Sequence, residues 1–299
     1  MGKKKIPMDK HILKYLDHPL YGSRVIELRH LYAPELYDRR IEPYLRAAGF
    51  YNVFQIRKIS GQTVLINALI ERWNPVTHTF HLPIGECTIT LEDVALIFGI
   101  QGTGLLVTWP TNSNHGSMVQ ECLMNFGVIP TASECRGSFI KLTWLRNVKY
   151  GIILITHEAM EHYTRCHIMS LFGTTLFADK SGAGMHWKFL PLLRDIPRIR
   201  TYSWGSACLA HLCRSLCWAT QYDYKDLDGP LALLHVWAWE RMPFLAPIRR
   251  PPTFPLACWW NEWDSPSIEF TRWTPAHFRQ MLDNITNANF LWDHVGNAS

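Results

Sequence analysis

The stretch from Ile70 to Ile100, IERWNPVTHTFHLPIGECTITLEDVALIFGI, restricts the fold more than any other part of the chain. Residues 77–90 alternate β-formers around a break at Pro83-Ile84-Gly85-Glu86, which predicts a short hairpin. Thr90 then stands where a helix needs an N-cap. Asp93, three residues on, forms a weak capping box in which hydroxyl and carboxylate each take a free backbone N–H. Leu91, Val94, Ala95 and Phe98 follow at helical spacing, and Gly99 supplies a left-handed stop. A hairpin running straight into an amphipathic helix has one apolar side to bury. Phe80 is expected to point inward from the hairpin, and Phe98 to face it or its neighbours from the helix.

The covering elements read as helices. Pro34 suits the first turn of a helix that stops at Gly49 and buries Tyr37, Ile41, Tyr44, Leu45 and Ala48. A helix over 62–72 carries Leu65, Ala68 and Leu69 inward. Ser117 and Gln120 predict a capping box for a short helix ending at Gly127, residues 134–141 read as a surface loop, and 144–150 read as helical. Thr156 caps a long helix ending at Gly173. Ser203 begins another, with Leu209, Leu212, Cys213, Leu216 and Cys217 on one stripe. Gly229-Pro230 opens and Pro243 closes a helix whose centre, LALLHVWAW, is apolar almost all round, as expected in the middle of a domain. A proline-rich connector and a last helix over 275–285 follow. The expected fold is mainly α, a single multi-helix globular domain with one small β-hairpin near residues 78–90.

Hydrophobic residues make up 47% of the chain and charged residues 18%, which excludes a disordered polymer. The net charge of +5 is uneven, for residues 1–60 hold 12 basic and 6 acidic side chains. That excess suits nucleic acid or an acidic partner, but no Lys/Arg run exceeds three, and a solvated basic surface is the preferred explanation. The start, MGKKKIPMDK, lacks an apolar leader core, and no run of 18 apolar residues exists. A reducing compartment with free thiols is therefore expected for the 8 cysteines, and Lys3-Lys4-Lys5 is a short basic cluster compatible with nuclear import.

The 70–100 stretch, read with KLTWL at 141–145, LFADKSG at 176–182, LPLLRDIPRIRTYSWGSACLAHLCRSLC at 190–217 and GPLALLHVWAWERMP at 229–243, resembles the plant mobile domain. This is the transposon-associated domain of proteins similar to "maintenance of meristems". Five segments match in order, over roughly residues 30–292. The resemblance divides the chain into a basic, partly mobile segment (1–29), the domain (30–292) and a polar tail (293–299). It implies a non-catalytic nuclear protein acting through partners in transposon silencing, transcriptional regulation and meristem maintenance. The implied partners are other mobile-domain proteins and phosphatase-7-like proteins. No phosphatase segment is present, and the chain closes with DHVGNAS where longer members continue, so a shortened copy is expected. The residues assigned to a structural signature are Arg72, Trp73, Phe80, Gly85, Glu86, Thr90, Asp93, Phe98, Trp204, Gly205, Trp237, Trp239 and Arg241. Arg72 and Arg241, each beside Glu and Trp, are expected to pair or stack and so fix helix ends.

No catalytic, cofactor-binding or metal residue is assigned. His157-Glu158-Ala159-Met160-Glu161-His162 approaches a zinc-protease motif, but that motif needs histidines four apart. Five residues place His157 and His162 about 140° apart round a helix. Glu158, His162 and Cys166 do share a face, expected to be solvated, opposite Met160, Tyr163, His167 and Leu171. Glu161 and Arg165 read as an ordinary surface pair. An enzyme using this His/Glu/Cys face is one alternative reading, and a transposon-derived nucleic-acid-binding accessory is the other. His78, His81 and Cys87 alternate faces of the hairpin, and Cys213 and Cys217 near His211 read as core cysteines. Ser206 lacks the second glycine of a nucleophile elbow. Gly99, Gly102 and Gly104 follow a helix instead of preceding one, against a phosphate loop. Some relatives carry an aminotransferase-like label, but that chemistry needs a Schiff-base lysine in a large α/β fold, and Lys180 and Lys188 have no evident phosphate cradle.

Overall fold

The computed structural model describes residues 8–15, 27–28, 35–57, 59, 61–108, 115–178, 183–247, 253–261 and 274–293. In chain order come β1 (Glu27–Leu28), α1 (Glu42–Ala48), α2 (Thr63–Arg72), β2 (Trp73–Asn74), β3 (Thr79–Leu82), β4 (Gly85–Cys87) and α3 (Leu91–Phe98). Next are α4 (His115–Phe126), β5 (Cys135–Arg136), β6 (Phe139–Lys141), α5 (Leu142–Gly151) and α6 (His157–Leu171). Then follow β7 (Gly184–His186), α7 (Ile196–Ile199), α8 (Trp204–Ala219), β8 (Asp226–Leu227), α9 (Leu231–Arg241) and α10 (Pro275–Asp283). The mainly helical class is observed, with one continuous apolar core running from Ile41 to Phe290.

The hairpin forms with Phe80 opposite Cys87 and Leu82 opposite Gly85, and β2 adds a third antiparallel strand through Trp73 opposite Phe80. Both arms of the capping box exist: Asp93 N–H donates to the Thr90 hydroxyl at 3.1 Å, and Thr90 N–H donates to Asp93 Oδ2 at 2.7 Å. Gly99 ends α3 at φ 67°, and a Cβ there would lie 2.5 Å from Asn52 Cβ, so both conformation and space demand glycine. The buried stripe is Val94, Ile97 and Phe98. Leu91, expected inside, is exposed. α3 packs on both α8 and α9, and that double contact draws Ile97 inward while Leu91 and Glu92 at its start face out.

Phe80 is fully buried, but its ring meets Trp237 at 5.0 Å and Trp73 at 4.8 Å. Its ring partners are indoles from α9 and β2, and Phe98, expected to face Phe80 or its neighbours, is fully buried in the same core. Every residue of α9 is buried except Ala232, as the apolar run requires. His235 survives there because both ring nitrogens are satisfied. Nε2 accepts the Gln62 N–H at 2.9 Å, Nδ1–H donates to Leu231 O at 2.9 Å, and burial pulls the imidazole down to about 4.

Other expectations need correction. A 3₁₀ turn at Arg39–Ile41, capped by Asp38, precedes α1, so the helix proper starts later than expected; Pro34 lies outside the described residues. Ser117 sits inside α4 and does not begin it. Residues 135–141 form a hairpin instead of a surface loop, because β6 pairs with both β5 and the distant β7. α6 continues through a π-helical turn, Phe172–Leu176, beyond the expected stop at Gly173. Ser203 gives its hydroxyl to Leu105 O at 2.9 Å instead of capping α8. In α8, Trp204, Cys208, Leu212, Leu216 and Cys217 are buried, while Leu209 and Cys213 are half-buried.

Candidate functional site

The signature residues divide by where their bonds go. Asp93 is fully buried, and its carboxylate also takes the Thr90 hydroxyl at 2.7 Å and Arg241 Nη2 at 2.7 Å. Arg241 continues to the carbonyls of Leu291 and Trp292, so one guanidinium ties α3 and α9 to the segment after α10. Arg72 donates to Ala68 O, to Arg279 O and to Asp283, while Arg279 pairs with Glu71 at 2.6 Å, which clamps α2 to α10. The expected Arg–Trp stacking is absent from the ring contacts of the described residues, where the guanidinium over a ring is Arg46 on Tyr51 at 3.3 Å. Gly205 lets α8 start against residues 101–102, since its N–H donates to Gln101 O at 2.8 Å and a Cβ would lie 2.9 Å from that oxygen. Trp204 and Trp239 are core residues. Glu86 is exposed and accepts the Thr79 hydroxyl at 2.8 Å, and Gly85 makes the hairpin turn at φ 121°.

The cluster on α6 does not converge. Glu158 extends into solvent, His162 is half-buried against Gly127, and Cys166 is fully buried with its thiol pushed up by burial. The face expected to be solvated thus runs from water into the core, because residues 164–171 are enclosed on every side. Arg165 likewise is buried, donating to Leu193 O at 2.9 Å and Arg194 O at 2.8 Å as well as to Glu161. His78 stacks on Trp73, His81 faces solvent near Glu86, and the Ser206 hydroxyl is spent on Gly102 O. Lys180 lies outside the described residues. Among the described residues no three His, Cys, Asp or Glu side chains gather as a metal site would require, and all eight cysteines are free.

Two surfaces remain. The first is a cleft of about 640 Å³ between α8 and the β7 region. Phe177 and Phe189 stack at 4.9 Å and 15° along it, and Ala207 and Ala210 on α8 leave it open. Its polar groups are His186, Lys188, His211, Arg214 and Asp228. Arg214 Nη2 donates to His211 Nδ1 at 2.7 Å, which leaves Nε2–H to donate to Ala178 O at 3.2 Å. His186 Nδ1 accepts the Lys188 N–H at 3.1 Å. Burial holds His186 down at about 4 and His211 below its usual value, so both are neutral at pH 7. Burial first, and then Arg214, lower Lys188.

The second surface is apolar. In Ile153-Leu154-Ile155 the central side chain is 8% exposed, while its neighbours are 73% and 79% exposed. Arg40 donates to Leu154 O at 2.8 Å and pins the segment. Tyr150 and Leu36 are 80% and 76% exposed. They belong to the same region, since Glu35 bonds Arg146 at 2.6 Å and pairs with Lys149. Nothing in the sequence reading marked either surface.

The architecture is that of a helical domain whose signature polar side chains mostly clamp its own elements. The plant mobile domain profile matches residues 49–296, and the chain belongs to that family. It is 37% identical over 82% of its length to a protein of Arabidopsis thaliana named serine/threonine-protein phosphatase 7 long form homolog, covering 19% of that protein. It is 33% identical over 82% of its length to Protein MAIN-LIKE 1 and 31% identical over 82% to Protein MAINTENANCE OF MERISTEMS, both of Arabidopsis thaliana. The chain spans 48% and 50% of those two proteins. No solved structure matches.

Proposed function

We propose that the chain is a non-catalytic nuclear protein that works through protein partners in transposon silencing, transcriptional regulation and meristem maintenance. The observation that carries the partner-mediated part is the exposure of Leu36, Tyr150, Ile153 and Ile155 on segments that Glu35 ties together through Arg146 and Lys149. Soluble domains seldom hold large aliphatic side chains this exposed in one region unless they dock something. Here the backbone is anchored by Leu154 and Arg40, so little ordering is left to be done on binding. Family membership supports the biological setting. The proposed partners are other mobile-domain proteins and phosphatase-7-like proteins.

The test is binding of the full chain to a purified MAIN-like protein and to a phosphatase-7-like protein. Wild type is expected to bind at least one, and Ile153→Glu/Ile155→Glu to weaken that binding tenfold or more with an unchanged melting curve. Equal binding by the variant, or no binding of wild type to either protein, overturns the reading. A fluorescent fusion of the full chain in plant cells is expected in the nucleus, and exclusion from it refutes that part.

A further inference from the structure

The cleft beside α8 carries positive charge that no ion pair among the described residues neutralises. Among those residues, Lys188 and Arg214 pair with no carboxylate. Lys188 Nζ instead lies 4.9 Å from the Phe189 ring centre, and Arg214 spends one N–H on His211 and keeps the others. A half-buried ammonium over an aromatic ring gains from the ring face and gains more when an anion joins it. Asp228 lines the same cleft. With both histidines neutral, two cations and one carboxylate leave a formal charge of +1, the complement of a monoanion.

The donors are also arranged for one. Arg214 offers a planar fork that matches a carboxylate, and Lys188 a point charge. The bond from Lys188 N–H to His186 Nδ1 places the remaining imidazole proton on Nε2, a donor with no partner among the described residues. Beside these groups the stacked Phe177 and Phe189 rings form a flat apolar wall. A volume of about 640 Å³ lies within the range of small-molecule sites.

We propose that this cleft binds a small carboxylate monoanion with a planar apolar body, its charged end between Lys188 and Arg214 and its ring against Phe177 and Phe189. The site is separate from the 153–155 patch and does not depend on the partner reading.

Three probes test it on the full chain by calorimetric titration at fixed salt. 2-Naphthoate has ring and charge, 2-naphthamide has the ring alone, and acetate has the charge alone. Saturable 1:1 binding of 2-naphthoate is expected, at least tenfold tighter than either other probe. Lys188→Met and Arg214→Gln are each expected to weaken it tenfold or more while the melting temperature holds, and Arg198→Gln, an exposed charge on α7, to leave it unchanged. If Lys188→Met fails to fold, Arg214→Gln, which alters an exposed side chain, carries the test alone. Four results overturn the proposal: no saturable binding, equal affinity for 2-naphthamide, equal loss in Arg198→Gln, or tighter binding of inorganic phosphate than of 2-naphthoate.

Discussion

Replacing Asp93 by Asn probes the hub that joins α3, α9 and the chain beyond α10. Its Oδ2 receives the N–H and hydroxyl of Thr90, both at 2.7 Å, while Oδ1 receives Arg241 Nη2 at 2.7 Å. An amide has the same shape but one acceptor oxygen. If that oxygen keeps the capping box, the NH₂ faces the guanidinium donor; if it faces Arg241, the box loses its acceptor. Each lost bond to a charged group costs about 1.5–3 kcal/mol, and a buried ion pair broken on one side typically costs about 3–5 kcal/mol. The expected loss for Asp93→Asn is therefore about 3–5 kcal/mol, a large share of the roughly 5–15 kcal/mol by which domains are stable. Adding Arg241→Met removes the stranded charge. It frees the carbonyls of Leu291 and Trp292, which lie near the surface and can turn to water. The double variant is thus expected to be more stable than Asp93→Asn alone. Urea unfolding of the four proteins in a double-mutant cycle measures this. A single-variant cost below about 1 kcal/mol, or strictly additive effects, would refute the hub.

Two further outcomes are expected. Phe80→Ala removes a fully buried ring from between Trp73 and Trp237 and should cost about 3–5 kcal/mol in denaturant melts; a cost like that of a surface change would show that the hairpin is not seated in the core. Acid should destabilise the fold before most carboxylates titrate: burial holds His235 at about 4, below the ordinary 6.5, so the unfolded chain takes up this proton first. The stabilisation is complete above pH 6.5 and is lost as pH falls toward 4, worth up to about 3 kcal/mol for His235; His186 and His167, also depressed by burial, act in the same direction. Urea midpoints that stay flat from pH 6.5 to 5 would contradict this.

What the sequence made legible was local. The Thr90–Asp93 box and the Gly99 stop are decided within a few residues, and so is the cap at Thr156. The all-apolar run of α9 announced its own burial. What failed depended on distant chain. Residues 135–141 alternate too weakly to read as a hairpin, and its second strand, Phe139–Lys141, is held from more than forty residues away by Gly184–His186. The stripe on α6 placed Cys166 in water because periodicity assumes one wet side. α4, α5 and α1 all pack on that helix, and its C-terminal half has no wet side.

The two surfaces show the same limit in different ways. His186, Lys188, Arg214 and Asp228 stand at no spacing that any motif describes, and they converge only because β7 and its following turn lie against α8. Ile153-Leu154-Ile155 did carry a local pattern, an apolar run that in isolation reads as a buried strand core. Which of its residues faces inward is set by Arg40, 114 positions away in sequence, whose guanidinium holds the Leu154 carbonyl and so fixes Leu154 inside and its two neighbours outside. A change at Arg40 therefore reaches the patch without touching it. Arg40→Met should loosen the presentation of Ile153 and Ile155, and partner binding should weaken in that variant even though every exposed apolar side chain remains in place.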